Sequence, residues 1–445
     1  MKKRSIAIFL ATVMISLTAC AGSSEADNSS KEPAKEEEQQ TSEGKTHLTV
    51  WTGYPDNNDW LEWVTAEFEK ENADIDVEVT TFPITDFENK IAAAIPAGSC
   101  SDVISVNPSF VYAFNSTGKF AQVPEELQEL VNSGIYDDAV ALESSYQGAV
   151  VSVPHMLSNA AWFYNKDYFE EAGLEDVPHS LNEVLEYAQK LAKYDDNGNL
   201  VRSGVSLRLT GGASGTTEKW WNMLMQNGGS LIEETGDGKY VAGYNNQAGF
   251  DTMCYYLDAL YKYHVDNFDV LHDNEAFMAG DTAMFQREAN VIVELAKNAP
   301  DLNYGTFPMF TANIAITKSW YVLDNGDTAK TDAGWKYVEF VNRPENMIEY
   351  HRMTGYQPAR KDLDMSELIA EVPQREAFFT DFDQVYTYVA IDEFQEIMVK
   401  LAARLMDAFT KEEMCGNEEM IWQFLQEASD ETNALLKENG HYGGE

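Results

Sequence analysis

From His47 onward the apolar positions change period in a regular order. "HLTVW" (His47 to Trp51) alternates every second residue and predicts a strand, and "NDWLEWVTAEFEKE" sets Trp60, Val64 and Phe68 on one helical face. "DVEVTTF" (Asp76 to Phe82) predicts a second strand, "TDFENKIAAAI" a second helix and "SDVISV" (Ser101 to Val106) a third strand. Strand, helix, strand, helix, strand needs crossover connections, so the pattern predicts an α/β fold with a parallel sheet covered by helices.

The pattern resumes further along. "AVVSVP" (Ala149 to Pro154) and "AAWFYN" (Ala160 to Asn165) read as strands. In "SLNEVLEYAQKLAKY", Ser180 and Glu183 have capping-box spacing ahead of a stripe of Leu181, Val184, Leu185, Ala188 and Leu191. "YDDNGNL" and "TGDGKY" carry Asn-Gly and Asp-Gly hairpin signals. Asp195 to Asn199 reads as a turn, since the spaced ligands, sixth-position Gly and closing Glu of a calcium loop are missing.

The N-terminus follows a different rule. Lys2, Lys3 and Arg4 precede a mostly apolar run from Ile6 to Leu17, shorter than the roughly 20 residues a spanning helix needs. Leu17-Thr18-Ala19-Cys20 resembles the lipobox of bacterial lipoproteins. That resemblance implies a signal peptide over 1–19 and lipid attachment at Cys20, with an ordinary signal peptide as the alternative. Residues 20–45, rich in Ser, Glu, Lys and Gln and without aromatics, read as a flexible tether.

About 400 residues follow, more than one hydrophobic core usually serves, so two lobes are expected. A formal charge of -43 makes nucleic acid a very poor partner. Cys100, Cys254 and Cys415 are an odd remainder with no zinc spacing, compatible with one bridge or with free thiols. No Gly-x-Ser-x-Gly, His-Glu-x-x-His or Walker loop is present, and "TGGASGTT" lacks the phosphate-binding Lys, so nothing points to an enzyme, a metal or a cofactor.

One long stretch carries a resemblance. "VPHMLSNAAWFYNKDYFEEAGLEDVPHSLNEVLEYAQKLAKYDDNG" is similar to the family 1 extracellular solute-binding proteins of ABC importers, through Trp162 to Asp167, Glu171-Ala172-Gly173-Leu174, Pro178 and the Ser180 to Glu183 cap. Ser180-Leu181-Asn182 departs from the commoner Thr-Trp-Asp at that cap. "KIAAAIPAGSCSDVISV", "EAFMAGDTAMFQ" and "DAGWKYVEFVNRPENMIEYHRMTGYQPARKDL" supply further landmarks in order, over about residues 46 to 440.

The resemblance implies a two-lobed, periplasmic-binding-protein-like (type II) fold. Lobe I takes 46–157 and 316–354, and lobe II takes 158–315 and 355–440. Hinge crossings are expected near Met156 to Ala160, Ala312 to Thr317 and Met353 to Pro358. It further implies a monomeric, non-enzymatic receptor, anchored at the outer face of the cytoplasmic membrane only by Cys20. That receptor captures a neutral sugar or oligosaccharide and delivers it to ABC permease subunits. Two alternatives stand beside it: a polyol-phosphate receptor such as one for glycerol-3-phosphate, and a non-transport glycan-binding lipoprotein. "KNAPDLNYGTFPM" and "YHRMTGYQPAR" are similar to the glycerol-3-phosphate receptors. Their Arg-containing segment is missing, and acids stand in "DQVYTYVAIDEFQEI".

Sugar binding needs flat apolar platforms and planar polar groups for adjacent hydroxyls. After the first strand, Trp51 and Tyr54 are candidate platforms and Asp56 or Asn57 an acceptor, with core packing or helix capping as the competing roles. Asn107 and Ser109 follow the third strand, and a plain turn competes there. His155, Ser158 and Asn159 lie in the hinge-side turn that contacts ligand across the family, although a lone His is more often structural. Trp220 and Trp221 diverge by about 100° on a helix, so at most one is expected at the cleft. Arg287, Glu288 and Asn290 follow a strand, where Arg287 either donates to ligand or pairs with Glu288. Trp320, Tyr321, Tyr356 and Arg360 flank the later crossings, with Tyr356 preferred.

Overall fold

A computed structural model describes residues 44–209, 214–382 and 384–444. The expected signal peptide, Cys20 and nearly all of the tether lie outside these residues. Nine strands build the two main sheets: β1 (Thr46–Thr52), β2 (Ile75–Thr81), β3 (Val103–Val106), β4 (Val153–Ser158), β5 (Ala160–Asn165), β6 (Met284–Glu288), β7 (Tyr304–Pro308), β8 (Ile316–Val322) and β9 (Gln357–Pro358).

The first sheet has the order β9-β4-β8-β3-β1-β2. Strands β1, β2 and β3 run parallel, as their helical crossovers require. The all-parallel expectation fails at β8, which is antiparallel to β3 and β4. The physical reason is direction: β8 enters this sheet from the other lobe. Strand β4 also begins later than Ala149, because Ala149–Val150 pairs instead with Ser145–Tyr146 in a small hairpin.

Both faces of this sheet are covered. Helix Asn58–Glu71 buries Trp60, Leu61, Val64, Thr65 and Phe68, and with helices Thr328–Val341 and Pro344–Thr354 it closes one side. Phe87, Ile91 and Ile95 of helix Ile84–Ala97 pack on Ile104 and Tyr321 of the other. The central strand β8 is therefore buried at all seven positions, a run that includes Lys318.

The second lobe is built on the antiparallel sheet β6-β5-β7. The two-residue period of β5 separates its faces. Ala160 and Trp162 join the large core formed with helices Leu181–Leu191, Gly215–Gln226, Phe394–Phe409 and Glu418–Glu438, while Ala161 and Phe163 join Phe277, Phe285 and Phe378. At the start of helix Leu181–Leu191, the Ser180 hydroxyl accepts the Glu183 N–H at 3.2 Å. The Glu183 carboxylate reaches back one residue further than the usual box, to the His179 N–H at 2.8 Å. Asp195 Oδ1 accepts the N–H groups of Asn197 and Asn199, closing the hairpin as a turn.

Only Asn159 separates β4 of one sheet from β5 of the other. A second passage runs through Asn313–Ile314 into β8. There the Asn313 amide accepts the Ala160 N–H at 3.0 Å and donates to the Ala160 carbonyl at 2.8 Å, while Asn159 Nδ2 donates to the Phe378 carbonyl at 2.7 Å. Val385–Tyr386 adds a parallel pairing to Asn313–Ile314.

The division expected at 354/355 gives way to a later one. Strand β9 pairs with β4, the Ala359 N–H donates to His155, and the Lys361 N–H donates to Ile135. The chain therefore stays on the first sheet through Lys361, held by backbone pairing, and joins the second sheet only where Pro373–Phe378 packs against β7. Cys100, Cys254 and Cys415 are free and half-buried.

Asn313→Ala removes the side-chain clamp on the Ala160 amide and leaves buried polar groups unpaired. It is expected to lower stability by about 2–4 kcal/mol, read as a shifted midpoint in urea unfolding with an unchanged slope. An unchanged midpoint would show that the paired backbones hold the crossing alone.

Candidate functional site

The crossings bring the turn after β1 and the turn before β9 against the face of the second lobe. Tyr54 and Tyr356 meet edge to face there, with ring centroids 6.2 Å apart at 76°. Burial comes first among the causes that raise both phenols well above their usual range, with Glu88 and Glu218 adding to the effect on Tyr54 and Asp56 on Tyr356. Tyr54 and Tyr356 both pack on the first-lobe core and Glu218 belongs to the second lobe, so this aromatic pair faces the interface from the first-lobe side. Tyr388 lies across it and donates to Glu218 at 3.0 Å.

Lys318 lies on the floor of this region, its ammonium 5.4 Å from the Tyr54 ring centre. Burial pulls it down to about 8 against the opposing pull of Glu143, Glu88 and Glu218. Burial likewise pushes the Glu88 carboxyl up to about 7, partly offset by Lys318. Glu143 is 5% exposed, accepts from the Thr317 hydroxyl, and accepts from Thr387 at 2.7 Å, so it ties the first lobe to the segment after Val385–Tyr386. Burial raises it to about 7 despite those bonds and the nearby Lys318.

A second group of charges is internally paired. Arg287 donates to Glu288 at 2.8 Å and to Asp273 at 3.0 Å, and Lys219 donates to Glu288 at 2.8 Å. Burial alone would raise Glu288, but Lys219 and Arg287 hold it well below the carboxylate range. The Arg287 to Glu288 pairing is therefore present, and Asp273 takes a further arm of the fork.

The remaining candidates divide by burial. Asp56 is exposed at the rim near Tyr356. Trp51 is half-buried, edge-on to Phe82 at 5.6 Å, with the Lys90 ammonium 4.3 Å from its ring centre. Asn107 accepts from Ser109 and donates to the Thr317 carbonyl at 3.0 Å, so both residues serve the junction between β3 and β8. His155 is 2% exposed, bonded to Ser105 at 2.8 Å and stacked on the buried Trp320 at 4.5 Å, and burial pulls it down to about 3. Both are interior groups of the first lobe.

Ser158 is half-buried at the end of β4, and Asn159 is committed to the crossing. Trp220 and Trp221 are both buried, Trp220 edge-on to Tyr244 and Trp221 stacked behind Tyr388. Neither is exposed at the cleft, because their helix is buried at every position from Thr216 to Met225 except Glu218, which is half-exposed and acts on Tyr54. Asn290 is half-buried beside Gly355, where an added Cβ would lie 2.8 Å from the Asn290 Cα; only glycine fits that approach, at φ +77°. Arg360 is paired with Asp362 and the Asn342 carbonyl, and Tyr321 lies in the core.

Sequence reasoning missed Glu88, Glu143, Glu218, Lys318 and Tyr388. Lys318 alone left a signal, as a lysine inside the strand-like run "ITKSWYV". Among the described residues no group of three or more His, Cys, Asp or Glu converges as a metal site, and no helix is long and apolar enough to cross a membrane.

Residues 63–377 match the model of a family described as bacterial extracellular solute-binding protein. The chain is 24% identical over 328 residues to the diacetylchitobiose binding protein DasA of Streptomyces coelicolor, covering 70% of this chain and 71% of that one. It is 25% identical over 256 residues to the sn-glycerol-3-phosphate-binding periplasmic protein UgpB of Escherichia coli K12, 52% of each. Among solved structures, the cyclic alpha-maltosyl-1,6-maltose binding protein of Arthrobacter globiformis superposes with a TM-score of 0.73 at 20% identity, over 89% of this chain and all of that one. That likeness establishes a two-lobed fold.

The raised Glu143 carboxyl has a pH consequence. The unfolded chain releases this proton near 4.5 and the folded chain near 7, so the folded state binds more protons between them and stability falls as pH rises. Glu143→Gln, which still faces Lys318, lacks that loss. Its Tm relative to the parent is expected to rise between about pH 5 and about pH 8, by the equivalent of at most about 3 kcal/mol. An equal difference at both pH values would show that Glu143 titrates normally.

Proposed function

The chain belongs to the bacterial extracellular solute-binding protein family, and on that footing we propose that it captures a neutral sugar or oligosaccharide between its two lobes for delivery to an ABC permease. The observation that carries the ligand class is the aromatic face made by Tyr54, Tyr356 and Tyr388 from both sides of the interface, set among glutamates and one lysine. Aromatic faces cover the C–H surface of a pyranose, and ionised side chains accept or donate to its hydroxyls. The names of the DasA and Arthrobacter proteins point to glycans as well.

Ligand held by both lobes stabilises the closed arrangement over the open one, which supplies a signal for the permease to read. Nothing in this role requires bond chemistry or a cofactor. Cys20 holds the monomer at the outer face of the membrane, and residues 20–45 let it reach the permease.

Polyol phosphate is the second reading, favoured by similarity to UgpB. Against it, Arg287 and Lys219 are already paired, and Lys318 faces three glutamates.

A thermal-shift screen of the full chain against mono- and oligosaccharides, polyols and glycerol phosphates tests this function. A ligand at about 100 times its Kd adds about 2.7 kcal/mol of stability. A shift with one glycan class is the expected result. A shift with phosphates only would replace the ligand class, and silence across the panel would remove the carbohydrate reading.

A further inference from the structure

Lys318 is 7% exposed, yet among the described residues its ammonium has no hydrogen bond and no ion pair. An ammonium carries three donors and is strongly hydrated, so burying it without acceptors is costly. The neighbouring residues explain where it points. Thr317 bonds to Glu143 and Ser319 lies 3.2 Å from the Ser144 hydroxyl, so strand alternation sends Lys318 to the opposite side, toward Tyr54. The pairing of β8 with β4 skips His155 at this point, a bulge of the kind that re-aims side chains beside binding sites.

Three carboxylates act on this ammonium without pairing with it. Glu143 and Glu88 come from the first lobe and Glu218 from the second. Glu143 is already occupied by Thr317 and Thr387, and Glu218 accepts from Tyr388 through one oxygen, leaving its other oxygen open. Glu88 is half-buried with no hydrogen bond of its own among the described residues. A donor and two acceptors thus surround the aromatic pair, and they are spread over both lobes.

We propose that Lys318 is the central hydrogen-bond donor to the ligand, with Glu88 and Glu218 accepting from it on opposite lobes, and that this triad selects an uncharged polyhydroxylated ligand over a polyol phosphate. The inference rests on the carbohydrate reading of the cleft and assigns its polar contacts. A hydroxyl oxygen accepts from Lys318 while hydroxyl hydrogens donate to Glu88 and Glu218, so one ligand satisfies groups that cannot satisfy each other. A phosphate satisfies only Lys318 and faces a surplus of negative charge. Because the two acceptors sit on different lobes, binding the ligand and closing the cleft are one event.

The test uses the full chain, its Lys318→Met and Glu218→Gln variants, and three probes: maltotriose, diacetylchitobiose and sn-glycerol-3-phosphate. Thermal unfolding without ligand comes first. Lys318→Met removes an unpaired buried charge, so its Tm is expected to hold or rise; a fall of several degrees would make Lys318 a structural counter-ion and overturn the assignment. Titration follows. Both variants are expected to weaken glycan binding about 10- to 100-fold, with no phosphate binding by any chain. Equal glycan affinity in parent and variants, or tighter binding of the phosphate than of either glycan, would overturn the proposal. If neither glycan binds the parent, the carbohydrate reading falls together with the triad's selectivity. The ligand-free Tm still separates a group reserved for ligand from a structural one.

Discussion

The cleft depends on how the polypeptide passes from one sheet to the other with a single residue between two strands. Strand β4 ends at Ser158 and β5 begins at Ala160, and a buried backbone of that kind must satisfy every N–H and carbonyl. Asn313 does so for Ala160 through both ends of its amide, from the neighbouring crossing. Two passages are thereby fastened side by side, and the lobes share a narrow, hydrogen-bonded seam. The turns that carry Tyr54 and Tyr356 are placed by that seam.

Charge is handled differently on the two sides of the interface. In the second lobe Lys219, Arg287, Glu288 and Asp273 neutralise one another at hydrogen-bond distance, which makes a rigid polar wall. In the first lobe Lys318, Glu88 and Glu143 remain apart, and burial shifts each of the three toward its neutral form. Such an arrangement is poor for stability. Under the proposed function, that arrangement exchanges water for the hydroxyls of a ligand.

The aromatic residues divide along the same line. Trp220, Trp221 and Trp320 were candidates for the face, and all three are interior. Tyrosines form the face, since a phenol combines an apolar ring with a polar tip at a boundary that is only partly dry. The sequence pattern could rank these residues by size but not by orientation. Adjacent tryptophans about 100° apart on a helix left room for at most one at the cleft, whereas packing buries both and leaves Glu218 half-exposed between buried neighbours.

Periodicity along the chain determined the strands and helices of the first sheet's parallel part, and short motifs determined the Ser180 cap and the hairpin turns and carried the family resemblance, because these depend on neighbours within a few residues. Tyr54 and Tyr356 were legible as well, as aromatics in turns. Tertiary structure alone decided the antiparallel entry of β8, the late departure of the chain after Lys361, and the interior positions of His155 and Trp320. It also decided which carboxylates surround Lys318. Glu88, Glu143 and Glu218 sit in helices whose local patterns resemble those of many other acids in this sequence, and they meet Lys318 only because the crossings fold distant segments onto one floor. Local sequence specifies the period of each element, but a desolvated charge is defined by what surrounds it, and those surroundings are contributed by residues far away in the chain.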